Sequence, residues 1–294
     1  MPNLGLGAGV TKGIVPSSAA TEFISTWTTT GSDETVTIPF VSSGSINFTI
    51  DWGDGGSDTV TAYDDDLGEG AIDHVYSSAA TYTIKLAGTI RGLRFNNSGN
   101  KTKIKTITQW GTFDLSVNYV FYGCNALDVS ATDAPTISAT DIEGTFQSCT
   151  ALTGIGSAAD WDVSSVTASM YGVFYGTAFN QDISSWDVSE VTNMGGMFAS
   201  VTEFNQDIGS WDVSKVTNMS SMFGNATSFN GNIGDWGSKT GAVTNMSYMF
   251  QNCDAFNQNV DSWDVSKVIN MSYVFSGCHA FNQPLNSWDT GAAT

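Results

Sequence analysis

From residue 161 onward, large apolar side chains return along the chain at a nearly fixed interval. Trp161, Trp186, Trp211, Trp236, Trp263 and Trp288 are spaced by 25, 25, 25, 27 and 25 residues, and Phe174, Phe198, Phe223, Phe250 and Phe275 follow the first five of them by 12 to 14 residues. Phe121 and Phe146 extend the Phe series backwards, giving about seven units from roughly Trp110 to the end. A period in the twenties predicts small units that bury their apolar side chains against one another, because none is large enough to hold a core alone. Within one unit the apolar positions are Phe204, Ile208, Trp211, Val213, Val216, Met219, Met222 and Phe223. Their spacings of two, three and four fit neither a helical stripe nor a long alternation, which predicts short strands and turns, with one helical turn near the Met-Phe pair.

The first third of the chain has a different pattern. Thr35–Phe40, Ser45–Trp52 and Thr81–Ala87 are β-branched runs separated by Gly- and Asp-rich turns, and Ile46, Phe48 and Ile50 alternate with polar residues. This predicts a small all-β unit over residues 21–90. Residues 1–20, rich in Gly, Ala and Ser, read as an arm, either loose or ordered by a partner. Residues 91–109 hold Arg91, Arg94, Lys101, Lys103 and Lys105 and read as a basic linker or as a cap to the repeats of residues 110–294.

Two resemblances follow from these residues. The recurring order WDVS, VTNM, Met-Phe or Val-Phe, then Ala-Phe-Asn-Gln, resembles the BspA-like leucine-rich-repeat surface proteins. It is specific over residues 161–288 and weaker before, where Ala134-Pro135 stands in place of a Trp. Trp52-Gly53-Asp54-Gly55, then His74 and Tyr76, then Tyr82-Thr83-Ile84, resembles the polycystic-kidney-disease-type β-sandwich, with Ala80 where that family usually has Gly. Together they imply a mainly β protein: a β-sandwich-like N-terminal domain followed by a leucine-rich-repeat-like solenoid of about seven coils. The functions they imply are adhesion and protein contact at surfaces, and neither implies catalysis.

Charge narrows the partners. The chain carries 10 basic and 29 acidic residues, a net charge of −19, which disfavours attraction to nucleic acid or to an anionic membrane. Residues 110–294 hold 18 of the acidic residues and only three basic ones, Lys215, Lys239 and Lys267. No apolar run is long enough to cross a bilayer, and the first residues lack the charge-then-apolar order of a secretory signal.

Candidate chemistry is sparse. Cys124, Cys149, Cys253 and Cys278 occupy equivalent repeat places, with Thr177, Thr202 and Ala226 or Thr227 as counterparts. Stacking would bring the thiols within bridging distance in pairs, yet a packed small-residue column explains the same spacing. The aligned Asn193, Asn218, Asn245 and Asn270, and Asn180, Asn205, Asn230, Asn257 and Asn282, are expected to form structural ladders. Asp162, Asp187, Asp212 and Asp264 follow the Trp residues and are expected to cap turns, with a metal stripe as the alternative. Asp51, Asp54, Asp58, Asp64, Asp65 and Asp66 form a weak calcium candidate, lacking EF-hand spacing. No other cofactor is expected.

No nucleophile, base and orienting group can be assembled, for His74 and His279 are the only histidines. The expectation is therefore a non-enzymatic structural and adhesion protein binding protein or glycan, first a phage virion component (fibre, decoration or adhesin subunit) and alternatively a bacterial surface adhesin. A carbohydrate-active enzyme is the third reading. Tyr171, Tyr175, Glu203, Tyr248, Tyr273 and His279 are the candidate partner contacts, since Tyr offers contact area at low entropy cost. The arm and the open end of the array are expected to meet other subunits, in a virion or on an extracellular surface.

Overall fold

The computed structural model describes residues 21–40, 47–60 and 71–294. The arm of residues 1–20, Ile46 and the run Asp64-Asp65-Asp66 lie outside the described residues. The fold is mainly β. Strands β1 (Phe23–Thr28), β2 (Glu34–Pro39), β3 (Asn47–Asp51), β4 (Ser57–Val60), β5 (Ala71–Tyr76), β6 (Thr81–Arg91), β7 (Ile104–Gln109), β8 (Phe113–Asp114) and β9 (Asp128–Val129) follow in chain order.

One sheet runs in the order β4-β3-β6-β1-β7-β9, with β8 joined to the far end of β6, and a second consists of β2 and β5. Alternation decides which face each strand buries. Phe23, Ser25 and Trp27 of β1, Val36 and Ile38 of β2, and Phe48 and Ile50 of β3 turn inward. Phe40, just past β2, packs on Phe48 with ring centroids 4.9 Å apart and joins the two sheets. Where β6 crosses β3, Gly88 has φ +126, and a Cβ there would lie 2.3 Å from the carbonyl oxygen of Asn47. Only glycine permits that approach.

The segment expected to be a linker or cap is woven into the sheet. β7 lies between antiparallel β1 and parallel β9. Phe95 also stands beneath Phe121, at 6.2 Å, and its N–H donates to the carbonyl of Val120 as in the later repeats. Repeat-type stacking thus begins one unit before Phe121, ahead of Trp110.

From there the repeats are joined by single parallel bridges, Ser169 to Asn193 to Asn218 to Asn245 to Asn270. Around each Phe the N–H groups alternate in destination. Those of Met219, Ser221, Phe223 and Asn225 reach the next repeat, at Asn245, Ser247, Met249 and Gln251, while those of Met222, Gly224 and Ala226 turn back three residues within their own. The helical turn expected here does not form, because two left-handed residues interrupt it in every repeat. One such column is Tyr119, Gly144, Gly172, Gly196, Ser221, Tyr248 and Tyr273. The second is Gly123, Ser148, Gly176, Ser200, Asn225, Asn252 and Gly277.

Backbone register places side chains of one kind over one another. Phe121, Phe146, Phe174, Phe198, Phe223, Phe250 and Phe275 stack with centroids 5.6–6.0 Å apart and planes within 12°. From Phe174 on, a second Phe lies against each ring at 3.9–4.2 Å. Trp186, Trp211, Trp236, Trp263 and Trp288 each donate from Nε1 to a carbonyl of the preceding repeat at 2.9–3.3 Å. Where Ala134-Pro135 interrupts that column, Trp161 packs edge-on against Trp110 at 5.5 Å and closes the gap. The 27-residue spacing is absorbed by a 3-10 stretch, Gly234–Thr240, with Gly237 at φ 42.

Phe223 is fully buried among Phe198, Phe229 and Phe250, while Phe275 is half-buried. Phe223→Ala is expected to lower unfolding free energy by about 3–5 kcal/mol, the usual cost of deleting a buried ring. Phe275→Ala should cost distinctly less, and chemical denaturation of the two variants measures the difference.

Candidate functional site

The Asp-rich turn after β3 is organised by its own backbone. Asp51 Oδ1 accepts from the N–H of Gly53 at 3.0 Å, Asp54 Oδ1 from that of Gly56 at 2.9 Å, and Asp58 Oδ2 from Trp52 Nε1 at 2.7 Å. His74 bonds Asp54 Oδ2 at 2.8 Å, stacks on Trp52 at 4.7 Å and meets Tyr76 edge-on, while the Tyr76 hydroxyl donates to the carbonyl of Trp52 at 2.7 Å. The bond from His74 holds the Asp54 carboxyl below its ordinary range. Each described member of the calcium candidate set therefore has a structural partner. Among the described residues, no group of three or more His, Cys, Asp or Glu side chains is placed to hold a metal ion.

The carboxylates after the Trp residues close turns. Asp162, Asp187, Asp212 and Asp264 each accept the N–H two residues on, at 3.1 Å. For Asp162, Asp187 and Asp264 the serine hydroxyl there adds a second bond, and these bonds lower all three carboxyls from their ordinary range.

The Asn180 column is a ladder, while Asn193, Asn218, Asn245 and Asn270 each close a turn in their own repeat, accepting the N–H two residues on at 3.0 Å. Asn180, Asn205, Asn230 and Asn257 each accept, at Oδ1, the N–H of the equivalent Asn one repeat on, at 2.7–3.1 Å. On the other column Asn218 Nδ2 donates to Asn193 Oδ1 at 2.9 Å. Cysteines sit behind the Phe stack as free thiols. The Sγ atoms of Cys149, Cys253 and Cys278 donate to the carbonyls of Phe121, Phe223 and Phe250, one repeat back. The column reads Cys124, Cys149, Thr177, Val201, Ala226, Cys253 and Cys278, each N–H returning to the Phe carbonyl three residues earlier. Val201, not the expected Thr202, fills the fourth place, since Phe198 follows Phe174 by 24 residues and the place lies three residues after each Phe.

The candidate contact residues divide into groups. Tyr248 and Tyr273 stack at 5.1 Å with planes 10° apart, and they are 38% and 60% exposed. Both occupy a left-handed column, at φ 60 and 59, a conformation costly for a bulky side chain. Tyr171, 42% exposed, leans over Gly195 and Gly196 of the next repeat, and Tyr175 is exposed beside it in its own repeat. Between Tyr171 and Tyr248 the same positions hold only Gly195, Gly196, Ser220 and Ser221. The result is a low saddle between aromatic walls, three repeats apart and thus roughly 14 Å long at the usual rung spacing. His279 lies apart from the tyrosines, bonded through Nδ1 to Asp254 of the repeat before at 2.7 Å. Glu203 is exposed on the loop before Phe204. Sequence reasoning missed Arg94, which lines a cleft of about 530 Å³ with Ser116, Asn118, Tyr119, Ser138, Thr140 and Asp141.

No described helix is long and apolar enough to cross a membrane. Stacked repeats, matching ladders and an exposed aromatic row define a mainly β repeat protein. The family model described as "Mycoplasma protein of unknown function, DUF285" matches residues 94–168, 140–241 and 237–294 in succession, and the chain belongs to that family. Its first match begins beside Phe95, where the ring stack begins. No curated protein sequence and no solved structure matches the chain.

Burial raises the Cys124, Cys149 and Cys253 thiols, and it lifts that of half-buried Cys278 to about 11. With a thiol reagent at pH 8 the folded protein should label Cys278 first, the other three only on unfolding. Mass spectrometry of the labelled peptides checks this. Carboxylates set an acid limit. Glu34, bonded to Lys103 and to the N–H groups of Thr30 and Gly31, is lowered from 4.5 to about 2. A folded-state pKa below the unfolded one gives stability that is complete above the unfolded value and is lost as pH falls towards the folded one. Melting temperature should hold from pH 7 to about 5 and fall below about 4.5, and Glu34→Gln should flatten part of that fall.

Proposed function

We propose that this chain is a non-enzymatic structural and adhesion protein: a β-sandwich-like N-terminal unit carrying a leucine-rich-repeat-like solenoid of about seven coils, whose tyrosine row is the contact face. The observation that carries the reading is the conformation of that row. Tyr248 and Tyr273 stand exposed and stacked in a left-handed column that the four repeats before them fill with Gly or Ser and the first fills with the less exposed Tyr119. A fold under selection for stability alone has no use for a bulky ring there. The acidic residues after each Trp are occupied with turn bonds, which supports binding over carboxylate-based cleavage.

A saddle of Gly and Ser between Tyr walls suits a glycan or an extended peptide segment, since aromatic rings cover apolar sugar faces or side chains while the open backbone supplies polar contacts. The setting is a virion fibre, decoration or adhesin subunit, or the surface of a bacterium. The second setting draws on the family description, which names Mycoplasma.

The test uses the full chain, labelled and applied to a glycan array and to intact bacterial cells. Tyr171→Ala with Tyr248→Gly and Tyr273→Gly should weaken binding at least tenfold, while the melting temperature stays level or rises because Gly relieves the two left-handed sites. Unchanged binding by this variant overturns the tyrosine face, and turnover of a bound glycan overturns the non-enzymatic reading.

A further inference from the structure

Among the described cations Arg94, Lys85 and Lys267 have no side-chain partner, and of these Arg94 has a buried orphan nitrogen. Arg91 pairs with Asp114 at 3.1 Å, Lys103 with Glu34 at 2.9 Å, and Lys215 with Glu190. Lys101, Lys105 and Lys239 donate to backbone or amide oxygens. Arg94 uses its backbone N–H on the carbonyl of Pro39 at 3.0 Å. Its guanidinium makes no ion pair with any described residue, and its Nε is shut off from solvent without a hydrogen-bond partner. Buried donors are almost always satisfied, so an orphan of this kind calls for an explanation.

A ligand cannot reach Nε itself, but the two terminal nitrogens are neither sealed off nor bonded to a described residue, and Arg94 lines a cleft. Ser116, Val117, Asn118 and Tyr119 form one side, and Ser138, Ala139, Thr140 and Asp141, one repeat on, form the other. It is a shallow, open cleft of about 530 Å³, with room for one ring against its lining. The lining is one guanidinium, three hydroxyls, an amide, a phenol ring and one carboxylate. A planar guanidinium matches a carboxylate through two parallel N–H···O bonds. The hydroxyls and amide match a ligand rich in hydroxyl groups: Ser138 Oγ donates to Asp114 Oδ2 at 2.7 Å and is left to accept, and Asp141, whose Oδ1 takes the N–H of Glu143 at 3.0 Å, has Oδ2 left to accept from such hydroxyls, whereas its charge would repel a second anion. An acidic peptide also meets the strongly negative repeats on approach, and a single carboxylate on a neutral ring meets far less of that repulsion.

From this we infer that the Arg94 cleft binds an acidic monosaccharide unit of the uronic type, its carboxylate on Arg94 and its hydroxyls on Ser138, Thr140 and Asp141. The inference rests on the surface-binding reading only in supplying that reading with a second, chemically distinct subsite, separate from the tyrosine row.

The experiment is a titration of the full, isotope-labelled chain with sodium glucuronate, followed by amide shifts in the nuclear magnetic resonance spectrum. Saturable shifts confined to residues 94, 116–119 and 138–141 are expected, with methyl glucoside binding at least tenfold more weakly. Arg94→Gln should weaken glucuronate at least tenfold, and Arg91→Gln should leave it within twofold. The wild-type shift map needs no variant to fold. Acetate binding as tightly as glucuronate, a short poly-glutamate peptide binding more tightly, or saturating glucuronate leaving these amides in place each overturn the inference. Wild-type chain that adheres to cells yet ignores glucuronate sinks the subsite alone. Loss of cell binding in the tyrosine variant with glucuronate still bound leaves the subsite standing as a separate site.

Discussion

Everything in this molecule depends on the fact that a repeat of about 25 residues encloses no interior. Each repeat can bury its rings only against the same rings in its neighbours, so register between repeats matters more than conformation within one. Backbone bonds set that register every second residue around the Phe column, and each Asn Oδ1 sets it again on the Asn180 column. A slip of one residue would present the Asn side chains to the Phe stack. Apolar gain and polar satisfaction therefore point to one alignment, a condition for a single native state.

The sheet of the first third supplies the start of that alignment. β7 continues from β1 on one edge and accepts β9 on the other, and Val129 bridges onward to Ile155. Phe23, Trp110 and Phe113 pack together, and Trp110 touches Phe121, so one apolar core runs from the β strands into the repeats. The first repeat thus has a partner below it that is a sheet.

Much of this was legible in the sequence, for a definite physical reason. Trp and Phe have few substitutes in a column that stacks rings, so their spacing shows plainly. The alternation Phe48-Ile50 was legible because a strand has period two. The left-handed columns were hidden, since Gly, Ser, Asn and Tyr share no chemistry, only a backbone angle. Phe95 was hidden by the basic residues around it, and Val201 by the 24-residue step from Phe174 to Phe198. Of the candidate contacts, Tyr248 and Tyr273 meet in space because they share a column, while Glu203 and His279 do not join them. Arg94 is marked by the burial of one unpartnered nitrogen, and burial needs coordinates.

The 3-10 stretch at Gly234–Thr240 shows that two added residues can be looped out beside a Trp without shifting the ring behind it. Because every seam carries the same pattern of donors and rings, an in-frame duplication or deletion of one period meets matching surfaces on both sides. Length in such a gene can drift by replication slippage while the fold is inherited intact. Lineages that share the ring column can then differ in reach, which makes repeat number a heritable variable on which selection acts.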